Sequence, residues 1–132
     1  FIVYLYPDVW GGIGYEVKQS FAWSGTGLPS NSLVFTAVYS NDDHYDGEPA
    51  QGAKPTGATL GNNGNPQAAT GGAKSVYKSE KPGSPRIFRA QYGLPPYPAE
   101  GQSNPFAGWA PVPVTQAQGT YTGTLTLTIS SY

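Results

Sequence analysis

The sequence predicts an all-β domain of the sandwich class, and three observations carry that expectation. Gly and Pro, 18 and 13 of them in 132 residues, interrupt the chain so often that no segment free of both shows the 3.6-residue apolar period of a long helix. Between the interruptions lie short runs rich in β-branched and aromatic residues, which suit a pleated, half-buried surface. The clearest run closes the chain. Across residues 120–132, Tyr121, Leu125, Leu127 and Ile129 share one parity and Thr120, Thr122, Thr124, Thr126 and Thr128 the other, the two-residue period of a strand with one face buried. A chain of this length matches one domain able to bury roughly two-thirds of the surface its unfolded form exposes. No repeat, charge block or change of composition divides residues 1–132.

Residues 1–6 are apolar at both parities and stop at Pro7, which predicts a strand covered above and below. A Gly-rich connection around Trp10 leads to residues 15–23, where Tyr15, Val17, Phe21 and Trp23 alternate with Glu16, Lys18 and Ser20. That is a second strand with its aromatic face inward. Residues 33–39 are β-branched and aromatic and are expected at the centre of a sheet. Residues 40–72 turn polar and rich in Gly and Pro. So long a loop is uncommon inside a compact domain, and it leaves room for short strands near Leu60. Two further strands are expected at 74–78 and 86–92, joined as a hairpin through the Pro82-Gly83 turn signal. Extended Pro-rich pieces at 94–98 and 110–113 flank Phe106 and Trp109 and deliver the chain to Gly119 and the last strand.

Composition narrows the partners. With 7 Lys plus Arg against 8 Asp plus Glu the net charge is −1, and no basic stripe collects phosphates, so nucleic acid is not an expected partner. Only 11% of residues are charged while 14% are aromatic, so the surface relies on hydroxyls, amides and rings, and weakly charged surfaces associate readily. No stretch approaches the ~20 apolar residues of a membrane-spanning helix, so no membrane insertion is expected. Phe1 in place of Met is expected either of a matured chain or of a trimmed one, and both leave room for a removed signal peptide. The absence of both Cys and Met suits an oxidising or hot exterior, while the absence of Cys by itself leaves the redox compartment open. Without Cys there is neither a disulfide framework nor thiolate chemistry.

Residues 41–48 concentrate Asp42, Asp43, Asp46, Glu48 and the single histidine, His44. A helix-loop-helix calcium loop opening at Asp42 fails, because His44 and Ala53 fall where oxygen ligands belong. A looser calcium site of Asp42, Asp46 and Glu48 is the remaining metal candidate, against the plainer reading of a solvated loop tip. One His without Cys leaves zinc to carboxylates, and a His-based triad would also need an activated Ser in a recognisable setting, whereas no G-x-S-x-G occurs. Glu16, Glu48, Glu80 and Glu100 fall on a strand surface, a loop tip, a turn and a loop, so no enzymatic activity is expected and no cofactor is implied. Trp10 and Trp109 lie among Gly and Pro and are candidates for a sugar-stacking platform, whereas the parity of Trp23 places it inside. They define one functional expectation, a monomeric carbohydrate-binding sandwich such as a lectin or tip-adhesin domain that binds glycans.

The two ends of the chain define another. A sandwich short of one strand leaves a groove beside its last strand, which a neighbour's N-terminal segment can fill through main-chain hydrogen bonds with alternate side chains entering pockets. Phe1, Val3 and Leu5 have the spacing of such a plug. The same alternation equally suits the first strand of the chain's own sandwich.

The closing stretch Gln118-Gly-Thr-Tyr-Thr-Gly-Thr-Leu-Thr-Leu-Thr-Ile129, with an aromatic at Tyr132, resembles the final strand of pilus subunits of the chaperone-usher type. Such strands commonly run Gly-x-Tyr-x-[Gly/Asp]-x-[Leu/Val]-x-[Leu/Val]-x-[Val/Ile]. The resemblance implies an immunoglobulin-like sandwich completed by the N-terminal strand of the next subunit. It further implies a homopolymer of identical copies, and a periplasmic chaperone and outer-membrane usher as assembly partners. Residues 1–7 would be the donor strand, led by Phe1, Val3 and Leu5, and residues 120–132 would flank the acceptor groove, lined by Tyr121, Leu125, Leu127 and Ile129. The implied function is a structural subunit of a pilus or fimbria serving surface adhesion or biofilm.

Overall fold

A computed structural model describes residues 1–5, 7, 12–29, 32–39, 57–81, 88–94 and 111–132. Eight strands are present among them: β1 (Ile2–Leu5), β2 (Tyr15–Trp23), β3 (Val34–Tyr39), β4 (Thr59–Leu60), β5 (Gln67–Ala68), β6 (Lys74–Lys78), β7 (Phe88–Gly93) and β8 (Gly123–Ser131). They form two antiparallel four-stranded sheets, ordered β1-β7-β3-β5 and β4-β6-β2-β8, and the protein is an all-β sandwich.

Local patterning explains the long strands. In β2 the odd positions Tyr15, Val17 and Gln19 are fully buried, while Lys18 and Ala22 on the other face are exposed. β8 pairs with β2 over nine consecutive positions, from Tyr15 opposite Ser131 to Trp23 opposite Gly123, and its Leu125 and Leu127 turn inward while its threonines face solvent. β3 lies between β7 and β5, the central place its β-branched run predicts, and Leu33, Val34 and Phe35 at its start are all buried.

Two expectations are corrected. Within the strand expected at 1–6, residues 1–5 are not covered on both faces: β1 is an edge strand, paired only with β7 among the described residues, and Ile2 remains 43% exposed. Apolar residues at both parities reflect its place at the sandwich margin, where solvent reaches one face. The strands at 74–78 and 86–92 do not form a hairpin, because β6 pairs with β2 and β4 while β7 pairs with β1 and β3. The turn signal is local, whereas each strand's partner is chosen by which inward face it must complete, so the intervening residues carry the chain from one sheet to the other.

The polar stretch near Leu60 holds the two shortest strands, β4 and β5, two residues each and in opposite sheets. A tight 3-10 turn over Gly61–Gly64 joins them, with Asn62 (φ 46°) and Asn63 (φ 54°) in the left-handed region that Asn tolerates better than other side-chain-bearing residues. Asn62 Nδ2 donates to Pro66 O at 2.9 Å and Asn65 Nδ2 donates to Asn62 O at 3.1 Å, closing the turn on itself. Its neighbour Gly61 is obligatory, since a Cβ there would lie 2.0 Å from Ser75 O.

Between the sheets lie Tyr15, Val17, Phe35, Ala37, Val76, Tyr77, Ala90 and Tyr92. An aromatic ladder crosses one sheet: Phe1 stacks on Tyr92 at 4.7 Å and Tyr92 on Phe35 at 5.5 Å. Among the described residues Gln19 is the one fully buried side-chain amide, and it bridges the layers: its Nε2 donates to Ala69 O at 2.9 Å and its Oε1 accepts from the Tyr92 hydroxyl at 3.5 Å. At the other end Tyr132 is pinned by a hydrogen bond from its hydroxyl to Ser79 O (2.5 Å) and by Lys78 and Lys81, whose Nζ atoms stand 4.5 and 4.4 Å from its ring centre.

Gln19→Ala strands the Ala69 carbonyl and the Tyr92 hydroxyl in the core, and it is expected to cost about 1–3 kcal/mol in urea unfolding. A second expectation concerns alkali. Burial pushes the Tyr92 phenol up to about 12 from its ordinary 10.0, because the core penalises only the phenolate. The folded state therefore keeps a proton the unfolded chain has already lost. The associated stability is fully present below pH 10 and is lost as pH rises from 10 to about 12. Unfolding curves across that window should fall less steeply for Tyr92→Phe than for the native protein.

Candidate functional site

The strands nearest the two ends of the chain, β1 and β8, are edge strands of opposite sheets, and they meet across one cleft of about 180 Å³ lined by Tyr4, Leu5, Pro7, Val17, Leu127 and Ile129. No ionisable carboxylate, amine or imidazole is among these residues. The site therefore suits apolar side chains better than a charged ligand.

On the β1 side, the odd positions face inward. Val3 lies opposite Ala90 and Leu5 opposite Phe88, and both Val3 and Leu5 pack on the core. Phe1 continues the register: its ammonium donates to Tyr92 O at 2.8 Å and its carbonyl accepts from Tyr92 N–H at 2.8 Å. Its ring is 65% exposed beyond the stack with Tyr92. Of the two places open to this segment, it occupies the one within its own chain, and its main-chain partner is β7 rather than β8.

On the β8 side, Leu127 and Ile129 line the cleft and Leu125 packs on the core beside it. Ile129 is 55% exposed despite its inward parity, because the cleft opens there. Tyr121 precedes the strand and belongs to a separate aromatic group. Its ring lies 6.4 Å from Trp23 in a T-shaped contact, Trp23 in turn lies 4.9 Å from Phe21, and the Tyr121 hydroxyl donates to Ala117 O and accepts from Gln116 Nε2 at 2.7 Å. The structure thus brings Leu5 together with Leu127 and Ile129, and leaves Phe1 and Tyr121 outside the cleft lining.

The hydrogen-bond pattern fixes which groups face outward from β8. Tyr132 N–H donates to Gly14 O and Ser24 N–H donates to Thr122 O, each at 2.9 Å. Even-numbered residues of β8 therefore make the closed pairs with β2, and the N–H and C=O groups of Leu125, Leu127 and Ile129 point to the outer edge. Among the described residues no strand pairs with that edge.

The candidate sugar platform at Trp10 and Trp109, and the candidate calcium ligands Asp42, Asp46 and Glu48, lie outside the described residues. Among the described residues no group of three His, Cys, Asp or Glu side chains could hold a metal ion, and no helix is long and apolar enough to cross a membrane. Two features escaped the sequence reading. Gln19 carried a usable signal, a polar residue at an inward position of β2. A second apolar cleft of about 190 Å³, lined by Val34, Phe35, Thr36, Pro66, Gln91, Tyr92, Gly93 and Leu94, arises from the β3–β7 pairing and has no local signature. No family model, curated protein or solved structure matches the chain.

Burial ranks the cleft residues. Leu5→Ala removes a half-buried side chain packed on the core and should cost about 1–2 kcal/mol, less than the roughly 2–5 kcal/mol of fully buried truncations. Ile129→Thr, at a site more than half exposed, should change monomer stability by less than about 0.5 kcal/mol. Chemical denaturation of the two variants checks the order.

Proposed function

We propose that this protein is a structural subunit of an extracellular pilus or fimbria, assembled from identical copies by strand complementation and serving adhesion or biofilm. The observation that carries the reading is the position of β1: an N-terminal strand, antiparallel to β7 at a sheet edge, whose Leu5 shares a cleft with Leu127 and Ile129 of the C-terminal strand.

Sheet order supports an immunoglobulin-like reading. Naming β2, β3, β6 and β7 as strands B, C, E and F gives the neighbouring pairs B-E and C-F of that sandwich. β8 then stands beside B, where strand A belongs, and β1 stands beside F, where the final strand G belongs. In this reading the chain holds its own donor segment in the final-strand slot, and a filament forms when each copy passes β1 to the next.

The physical terms favour such a hand-over. Among the described residues β1 pairs with β7 alone, through four register pairs that Phe1 extends to Tyr92, and the slot it would vacate keeps β7 for main-chain hydrogen bonds and Leu127 and Ile129 for side-chain contacts. Each donor side chain fully buried contributes on the order of 1.5–3 kcal/mol, so a strand shared between copies gives a joint that separates slowly. A periplasmic chaperone and an outer-membrane usher are the partners this mode of assembly implies.

The purified chain, run on a denaturing gel with and without boiling beside a variant lacking residues 1–7, tests the reading. A ladder that collapses only on boiling and is absent from the deletion, and from Val3→Asp and Leu5→Asp, is expected. A single monomer band in every lane, with the deletion variant still folded, would overturn it.

A further inference from the structure

We infer that the outer edge of β8 is a docking edge for a second copy of this chain, the two β8 strands pairing antiparallel about a twofold axis at Leu127 to join two four-stranded sheets into one.

Three observations carry this. First, β8 is long and regular, and among the described residues no strand covers its outer edge. It runs nine residues, and its register with β2 has no bulge. Residues 101–132 contain no charged side chain, and β8 itself contains no Pro. Charges, prolines, bulges and brevity are the devices that keep edge strands from pairing with one another, and β8 has none of them. By contrast β4 and β5, the edges on the far side, are two residues each.

Second, β8 is complementary to itself. Its outward-pointing main-chain groups belong to odd-numbered residues, so an antiparallel partner of the same sequence must set odd against odd. With the axis at Leu127, Leu125 lies opposite Ile129 of the second copy and Leu127 opposite its equivalent. Thr126 lies opposite Thr128, and Thr124 opposite Ser130. Every apolar residue of one copy meets an apolar residue of the other on the inner face, and every hydroxyl meets a hydroxyl on the outer face. A one-residue slip, which would set Leu against Thr, is forbidden by the hydrogen-bond parity.

Third, the pairing covers what the single chain leaves open. Ile129 is 55% exposed and comes under Leu125 of the second copy. The absence of charge along the strand means that two identical copies approach without like-charge repulsion, which a charged partner strand would not exploit. This contact does not require exchange of β1, whose main-chain bonds are to β7. If copies are also linked through β1, β8 pairing joins such filaments side by side.

Cysteine placement tests the register directly, because the chain contains no Cys. Thr126 and Thr128 of opposite copies would form a non-hydrogen-bonded pair with Cα atoms roughly 4.5 Å apart, inside the disulfide range of about 4.4–6.8 Å. Mild oxidation of an equal mixture of Thr126→Cys and Thr128→Cys chains should give the mixed disulfide dimer in several-fold excess over either self-linked dimer. No cross-linking, or self-linked and mixed dimers in statistical proportion, would overturn the assignment. A second measurement guards against a cross-link trapped from rare encounters. In sedimentation equilibrium the native chain should self-associate, and Thr126→Lys combined with Thr128→Lys should weaken association about tenfold by setting like charges opposite one another. Mixing that variant with Thr126→Glu combined with Thr128→Glu should restore it. Association indifferent to these charges would place the contact elsewhere. Both experiments repeated on the Leu5→Asp background should give the same result, whether or not the ladder on a denaturing gel is lost.

Discussion

The ladder between β2 and β8 is the interaction on which the rest of the structure depends. Nine uninterrupted pairs fix the parity of both strands at once. On β2 they turn Tyr15, Val17 and Gln19 into the core, and on β8 they turn Leu125, Leu127 and Ile129 to the same side. They also decide that even-numbered residues of β8 spend their main-chain groups on β2, leaving those of the odd-numbered residues at the outer edge. The apolar wall of the cleft and the free edge beside it are two consequences of one register.

The place of β1 is the complementary constraint. Its inward residues follow the β7–β3 register, so Phe1 joins the Tyr92–Phe35 stack and Val3 meets Ala90. Yet among the described residues it pairs with β7 alone, and the aromatic at its start is largely exposed. The core of the sandwich, by contrast, is cross-linked by Gln19, which ties β2 to Ala69 and Tyr92 of the opposite sheet. A tightly held centre with a lightly held terminal strand is the physical arrangement in which one element can change partners while the remainder stays folded.

How much of this was legible in the sequence differs by element. Where a strand buries one face, as β2 and β8 do, alternation alone locates it: residues 15–23 were expected and β2 spans Tyr15–Trp23. β6 was equally clear. Pairing was not legible, because a strand's neighbours are chosen by distant surfaces. That is why 74–78 and 86–92 read as a hairpin although β6 and β7 lie in different sheets. β4 and β5 are too short to show a period, though the Gly61-Asn-Asn-Gly64 sequence carries the left-handed turn between them. For the site, spacing marked Phe1, Val3 and Leu5 as one inward set, while the facing set Tyr121, Leu125, Leu127 and Ile129 came from the resemblance of the closing strand; one cleft is lined by Leu5, Leu127 and Ile129. Phe1, Val3, Leu125 and Tyr121 share those parities but do not line that cleft, since parity assigns a face and not a depth along it.

In the proposed filament, the slot that β1 occupies is filled instead by the β1 of a neighbouring copy. Assembled protein grown from an equal mixture of ¹³C-labelled and ¹⁵N-labelled chains, examined by solid-state NMR for contacts between Val3 and Ala90, tests it most directly. The account predicts Val3–Ala90 contacts between differently labelled chains in the assembly, in the same register that joins them within one chain. Contacts confined to chains of a single label, in an assembly that has formed all the same, would contradict it.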